Sequence, residues 1–180
     1  LSNTETDEER FNRLDKMRAP AKVTNYSSLY LVGAPKLARE AGMSVAEAKA
    51  FIEAFWEINW SIKQVSKDAY VKTLSDGSMW LKNSVSGFYY SLRNDRDVFS
   101  TTNQSTGVFI FDSWVMRCRK KGVVFSMEYH DEHLSYVKIG NEHRHTELLK
   151  EAMREVNETL KLNVEITSDI QYGLGYSAVH

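Results

Sequence analysis

Residues 123–129 and 133–139 alternate apolar and polar side chains, and the triplet His130-Asp131-Glu132 stands between them. This pattern predicts an antiparallel hairpin, because a strand sends successive side chains to opposite faces and the apolar set must share one face. Two adjacent carboxylates at the tip of such a hairpin repel each other unless a positive charge sits beside them. A divalent cation fills that place best, since hard cations take oxygen ligands and offset like charge.

The rest of the chain is helix-rich before the hairpin and mixed around it. Residues 1–9 are polar and acidic, either a disordered lead or the first turn of a helix through Phe11, Leu14 and Met17. A second helix is expected from about Arg18 to Leu31, with Pro20 in its first turn, where the missing N–H costs nothing. A short helix from Pro35 closes at Gly42. Ser44-Val45-Ala46-Glu47 is a capping box. The long helix after it carries Phe51, Ile52, Phe55, Trp56, Ile62 and Val65 mostly on one face. A hairpin is expected over residues 70–81 about Asp76-Gly77, and residues 84–93 form a connection. A helix follows from about 96 to 120. Beyond the carboxylate hairpin come a helix over about 144–160, a strand at 164–167 and a glycine-containing tail. Strands and helices segregated in this way make an α+β fold.

The chain has 180 residues, enough for one domain or slightly more with a proper core. Its single cysteine, Cys118, lies in an apolar helical stretch and reads as a buried thiol in a reducing compartment. No apolar run approaches the roughly 20 residues that span a bilayer, and no signal-peptide pattern opens the sequence. A cytoplasmic protein without a membrane partner is expected. The net charge of -1 gives no support of its own to nucleic-acid binding. A local basic groove, or a surface supplied by a second chain, would have to provide it.

Arg18, Lys22, Tyr26 and Tyr30 recur every four residues and so form one row on a helix, cationic at one end and aromatic at the other. Cations hold phosphates and rings stack on bases. With the carboxylate hairpin, the row points to handling of a nucleoside triphosphate.

The string Arg-x-x-x-Lys-x-x-x-Tyr-x-x-x-Tyr, followed by Leu37-Ala38-Arg39-Glu40-Ala41-Gly42 and Ser44-Val45-Ala46-Glu47-Ala48, resembles the fingers helix of family A DNA polymerases, the bacterial DNA polymerase I group. Tyr129-His130-Asp131-Glu132 resembles the same family's palm motif. Gln104-Ser105-Thr106-Gly107 is similar to a helix that touches the primer–template duplex, with Arg96 two turns earlier. His180 falls where chains of the family end. The resemblance spans nearly all of the sequence, with the motifs in the family's order.

The resemblance implies that Arg18 and Lys22 hold the incoming dNTP, Tyr26 sits beside its sugar and Tyr30 lies near the templating position. Lys22 would also be the acid toward the leaving pyrophosphate. Asp131 would bind both catalytic Mg2+ ions with Glu132 assisting, while His130, Arg96 and Gln104 would contact DNA. Tyrosine rather than phenylalanine at Tyr26 looks phage-type. Ser27 and Leu31 stand where the family has glycine, and Ser100 where it has asparagine. The fold implied is fingers helices with a hairpin over residues 1–83, then a C-terminal palm portion with an antiparallel hairpin over 84–180.

The family's second essential aspartate belongs to a palm strand upstream of the fingers helix, and nothing before Arg18 matches it. Asp7 and Asp15 lie in helix-like surroundings, and the thumb is missing too. The expectation is an incomplete polymerase fold that needs an upstream polymerase fragment as obligate partner. It would act on primer–template DNA and dNTPs, and would sit in a host cytoplasm if viral. The start at Leu1 reads as a cut or processed chain. Two other readings compete. One is a non-catalytic DNA-binding or processivity subunit. The other is a metal hydrolase built on His130, Asp131, Glu132, His133, His143 and His145, a set with transition-metal donors that strand alternation would divide between two faces.

Overall fold

The computed structural model describes residues 6–179. The fold is α+β, and the chain forms two compact units, one of residues up to Lys82 with Tyr90–Thr101, the other of Asn83–Tyr89 with residues from Thr102 onward.

In the first unit, α1 spans Asp7–Leu29 without interruption. Its N-cap is Thr6, whose hydroxyl accepts from the Glu9 amide (3.3 Å) while the Glu9 carboxylate accepts from the Thr6 amide (2.9 Å). Asp7, Glu8 and Glu9 place negative charge at the positive end of the helix dipole. The helix boundary expected near Arg18 is therefore absent, and Pro20 lies inside the helix. An interior proline costs about 3 kcal/mol. Here the preceding segment has its own cap and is rich in helix formers, so the chain is already helical on reaching Pro20. The Thr24 hydroxyl donates to the Pro20 carbonyl. Among the described residues of α1, Thr24 and Ser28 are buried, on the side toward α2 (Ala34–Ala41) and α3 (Val45–Ile58).

Helix α2 ends at Gly42, whose φ of +69° suits glycine, and the Ser44–Glu47 capping box starts α3 as expected. Leu37, Ala38 and Ala48 form the small core here, with Phe51 and Ile52 against it. The single long helix expected to run through Val65 is broken at Asn59. The backbone and side-chain amides of Asn59 both donate to the Phe55 carbonyl (2.9 and 2.8 Å), ending α3 before α4 (Trp60–Asp68) begins. Strands β1 (Tyr70–Thr73) and β2 (Met79–Lys82) pair antiparallel, Tyr70 opposite Lys82. The segment expected to be a mere connection supplies β3 (Tyr89–Leu92), the third strand in the order β1-β2-β3. Leu81, Leu92 and Val98 are buried together.

The second unit is built on α5 (Val98–Lys120) and α6 (Glu142–Leu160). Each carries apolar residues at i, i+3, i+4, i+7: Phe111, Trp114, Val115 and Cys118 on one, Leu149, Ala152, Met153 and Val156 on the other. Trp114 and Cys118 join all four α6 residues in the core, and the indole N–H donates to the Leu149 carbonyl at 2.9 Å. Full burial of a large apolar side chain stabilises by about 1.5–3 kcal/mol, so this cluster anchors the unit. Burial also pushes the Cys118 thiol up to about 12, consistent with an inert structural cysteine.

Strands β4 (Phe125–Tyr129) and β5 (Glu132–Ser135) form the expected hairpin, with an irregular register between Phe125 and Met127. The return strand stops at Ser135, short of residue 139, and Tyr136 and Ile139 are exposed. The helix expected from about residue 144 starts at Glu142, so His143 and His145 both lie in the first turns of α6. No strand forms at 164–167. Asn157 takes the place of a pairing strand, its Oδ1 accepting from the Ile166 amide (2.9 Å) and its Nδ2 donating to the Ile166 carbonyl (2.8 Å). A 3-10 turn, Tyr176–Ala178, closes the tail, and His180 lies outside the described residues.

Candidate functional site

The Arg18, Lys22, Tyr26 and Tyr30 row lies along α1, with Tyr30 as its C-cap. Thr24 and Ser28 occupy the buried side, so the row faces away from α2 and α3 and all four residues are exposed. Tyr26 is 51% and Tyr30 38% exposed, and Lys22 Nζ stands 5.9 Å from the Tyr26 ring centre. A cation over a ring face is favourable and leaves the ammonium accessible to an anion. The helix stops in a Schellman motif. The Leu31 amide donates to the Ser28 carbonyl (3.1 Å) and the Val32 amide to the Ser27 carbonyl (2.9 Å). Leu31 has φ of +58°, the left-handed conformation that glycine usually supplies there. Ser27, the other position where the resemblance implies glycine, is ordinary helix.

At the hairpin, Tyr129 opposes Glu132, so the loop is the pair His130-Asp131 alone. His130 has φ of +55°, as the first residue of such a tight loop requires, and its ring meets Tyr129 edge-on at 4.3 Å. Only one of the two carboxylates is at the tip. Asp131 is exposed there, while Glu132 is half-buried as the first residue of β5. His133 follows, half-buried, with ring centres of Phe125 at 4.1 Å, Trp114 at 4.5 Å and Phe111 at 6.5 Å. Burial, with a smaller contribution from His145, lowers its pKa to about 4, so it is neutral near pH 7. His133 Nδ1 has no hydrogen-bond partner. His145 Nε2 and Ser135 Oγ share a hydrogen bond of 2.8 Å, tying α6 to β5. Trp114, Asp131, Glu132, His133, His145 and Tyr172 line an open cleft of about 1030 Å³ within this unit.

Gln104 is exposed on α5, in the same unit as the carboxylate hairpin. Arg96, expected two turns earlier on that helix, instead sits in the 3-10 turn Asp95–Asp97 that precedes it, within the first unit. The two residues that follow Gln104 are held by Asn83, which sequence reasoning missed. Asn83 is fully buried. Its Nδ2 donates to Ser105 Oγ (2.7 Å) and Thr106 Oγ1 (2.8 Å), and its Oδ1 accepts from the amides of Val85 and Ser86 (2.8 and 3.0 Å). Asn-Ser-Val-Ser-Gly marks a turn, but nothing in that string announces a buried clamp.

The structure thus groups Arg18, Lys22, Tyr26, Tyr30 and Arg96 in one unit, and Gln104, His130, Asp131 and Glu132 in the other. The carboxylates of Asp131 and Glu132 are the oxygen donors that Mg2+ favours, so their chemistry fits that ion. Among the described residues no three His, Cys, Asp or Glu side chains gather for a metal. Among the same residues no helix is long and apolar enough to cross a membrane.

A model of the family described as DNA polymerase family A matches residues 4–178. No curated protein matches the chain. Among solved structures, the POL domain of Pol1 from M. smegmatis, in complex with DNA primer-template and dNTP, aligns with a TM-score of 0.60 at 19% identity. The alignment covers 86% of this chain and 28% of that one. At such identity the likeness establishes the fold. An exposed cation–tyrosine row, a hairpin tipped with aspartate and a family match over almost every residue converge, and the chain belongs to DNA polymerase family A.

Proposed function

We propose that this chain is the C-terminal part of a DNA-directed DNA polymerase, adding dNTPs to a primer 3′ end as a template directs. Residues 1–83 serve as fingers and residues 84–180 as the C-terminal palm portion. The observation that carries the reading is the exposed row on α1, where two cations and two rings stand clear of the core in a family A chain. Arg18 and Lys22 hold the triphosphate by charge-assisted hydrogen bonds, Tyr26 lies beside the sugar and Tyr30 beside the templating base. Arg96, Gln104 and His130 contact the primer–template. Asp131 is the metal-holding acid and Glu132 supports it.

Mg2+, when bound, supplies the positive charge that phosphoryl transfer needs. As the primer 3′ hydroxyl gives its proton to solvent and its oxygen bonds the α-phosphorus, the bond to pyrophosphate breaks and Lys22 Nζ gives a proton to the departing group. Such general acid help is worth about 10²–10⁴ in rate. The carboxylates that Asp131 and Glu132 do not supply come, in this reading, from an upstream polymerase fragment that also brings the thumb. Tyr26 in place of phenylalanine supports a phage-type relative. Exposed Phe11, Leu14 and Met17 on α1 and Tyr136 and Ile139 beyond β5 are apolar surface that a large interface would cover.

The test is primer extension with the chain co-expressed alongside a candidate upstream fragment. Asp131→Ala abolishes extension and leaves the assembly intact by size-exclusion chromatography. Extension at the normal rate in that variant overturns the metal assignment, and extension by the isolated chain overturns the need for a partner.

A further inference from the structure

The β1–β2 hairpin of the first unit has two unlike faces. Leu81 is buried on one of them, with Val71 and Met79 packed beside it. Strand alternation therefore sends Tyr70 and Lys72 of β1, and Trp80 and Lys82 of β2, to the opposite face. The register sets Tyr70 across from Lys82 and Trp80 across from Lys72. Rings thus occupy one diagonal of the patch and ammonium groups the other. Each ring has one cation across from it and another along its own strand. Tyr70 is 58% exposed, and both lysines are exposed. The indole N–H of Trp80 donates to Ser78 Oγ (3.2 Å), and that hydroxyl donates to Asp76 Oδ1 (2.7 Å), so the turn holds the ring in place.

Ordinary sheet needs account for only part of this pattern. Lysine on an edge strand guards against pairing with another chain, which covers Lys72 on β1. Strand β2 is the central one, so Lys82 has no edge to guard. Aromatic residues suit strands because they pack on their neighbours, yet Tyr70 leaves more than half of its surface in water. A protein partner is a poor match, since lysine is depleted at protein interfaces. None of the four strand positions carries a carboxylate, so the face complements a polyanion. Its rings call for bases that are free to stack, which a closed duplex does not offer. We propose that this face binds single-stranded DNA, with Tyr70 and Trp80 stacking on bases while Lys72 and Lys82 meet the phosphates. None of these residues belongs to the contacts assigned above. The source of the strand, unpaired template ahead of the primer end, rests on the polymerase reading.

Fluorescence anisotropy with the purified full chain measures binding to labelled oligothymidylate and to a blunt duplex. The wild-type chain binds oligothymidylate. Tyr70→Ala weakens that binding at least about fivefold, the lower end of what one stacked base contributes, and Tyr70→Phe keeps it. Replacing Lys72 and Lys82 together by alanine lowers the slope of log Kobs against log salt by about 1.4, the loss of two phosphate contacts on a single strand. Lys49→Ala removes an exposed lysine of α3 and leaves the slope unchanged. Oligothymidylate binding indifferent to Tyr70→Ala, or an equal loss on blunt duplex, overturns the proposal. So does a Tyr70→Ala chain that keeps its DNA affinity but no longer co-elutes with an upstream fragment, which assigns the patch to a protein. Binding through this face by a chain that extends no primer with its partner leaves the proposal standing and overturns the polymerase reading alone.

Discussion

Asn83 shows how much of this structure rests on single polar side chains. A buried amide that bonds two hydroxyls and two backbone N–H groups is worth little net while complete, but expensive to remove, because the Val85 and Ser86 amides then lose their acceptor while the Ser105 and Thr106 hydroxyls keep only the Thr102 carbonyl. Asn83→Ala is therefore expected to destabilise the protein by about 2–3 kcal/mol in urea unfolding. Loss below about 0.5 kcal/mol would mean that water replaces the clamp. Asn83→Asp keeps the acceptor but loses the donors, and falls between wild type and alanine. At this scale the sequence is least legible. Asp131 and the cation–tyrosine row stand out as candidates because their residue types and spacing carry chemistry. Asn83 and the left-handed turn at Leu31 do not, because they depend on burial and on a backbone angle that only the assembled chain fixes.

Elements were legible where a local signal was strong and misread where a competing local bond decided the outcome. The Ser44–Glu47 box and the Asp76-Gly77 turn appear where the sequence places them. The Thr6–Glu9 box is an equally good signal, but it lies within residues 1–9, which read as either a disordered lead or the first turn of a separate helix, so Pro20 is assigned a helix start that Thr6 provides. The extent of α3 failed for a different reason: apolar periodicity continues past Asn59, while its side chain ends the helix. The expected strand at 164–167 has the right composition, but Asn157 satisfies its backbone in place of a neighbouring strand. Asn157→Ala should accordingly free this segment. Hydrogen exchange is expected to show the Ile166 amide losing protection at least tenfold, an effect of about 1.4 kcal/mol or more. Protection retained in the variant would assign the order of the segment to the packing of Ile166 and Ile170 on the core.

For the molecule as a whole, a net charge of -1 requires that any grip on a polyanion be local. Part of the basic charge is already matched: Arg93 by Asp97, Arg119 by Glu128, and Lys121 by Glu151 and Glu155. Paired cations release few counterions when DNA binds, so the salt dependence should be shallow and should follow a small number of residues. Arg96 and Lys22 divide this work differently under the proposed function, one facing DNA phosphate and the other the triphosphate. Arg96→Ala is expected to lower the slope of log Kobs for primer–template against log salt by about 1. Lys22→Ala should leave that slope unchanged and instead weaken dNTP use, seen as a higher KM in the extending assembly. Both slopes falling together would make Lys22 a DNA-phosphate contact. A slope unchanged by Arg96→Ala would move the duplex contact off the turn that precedes α5.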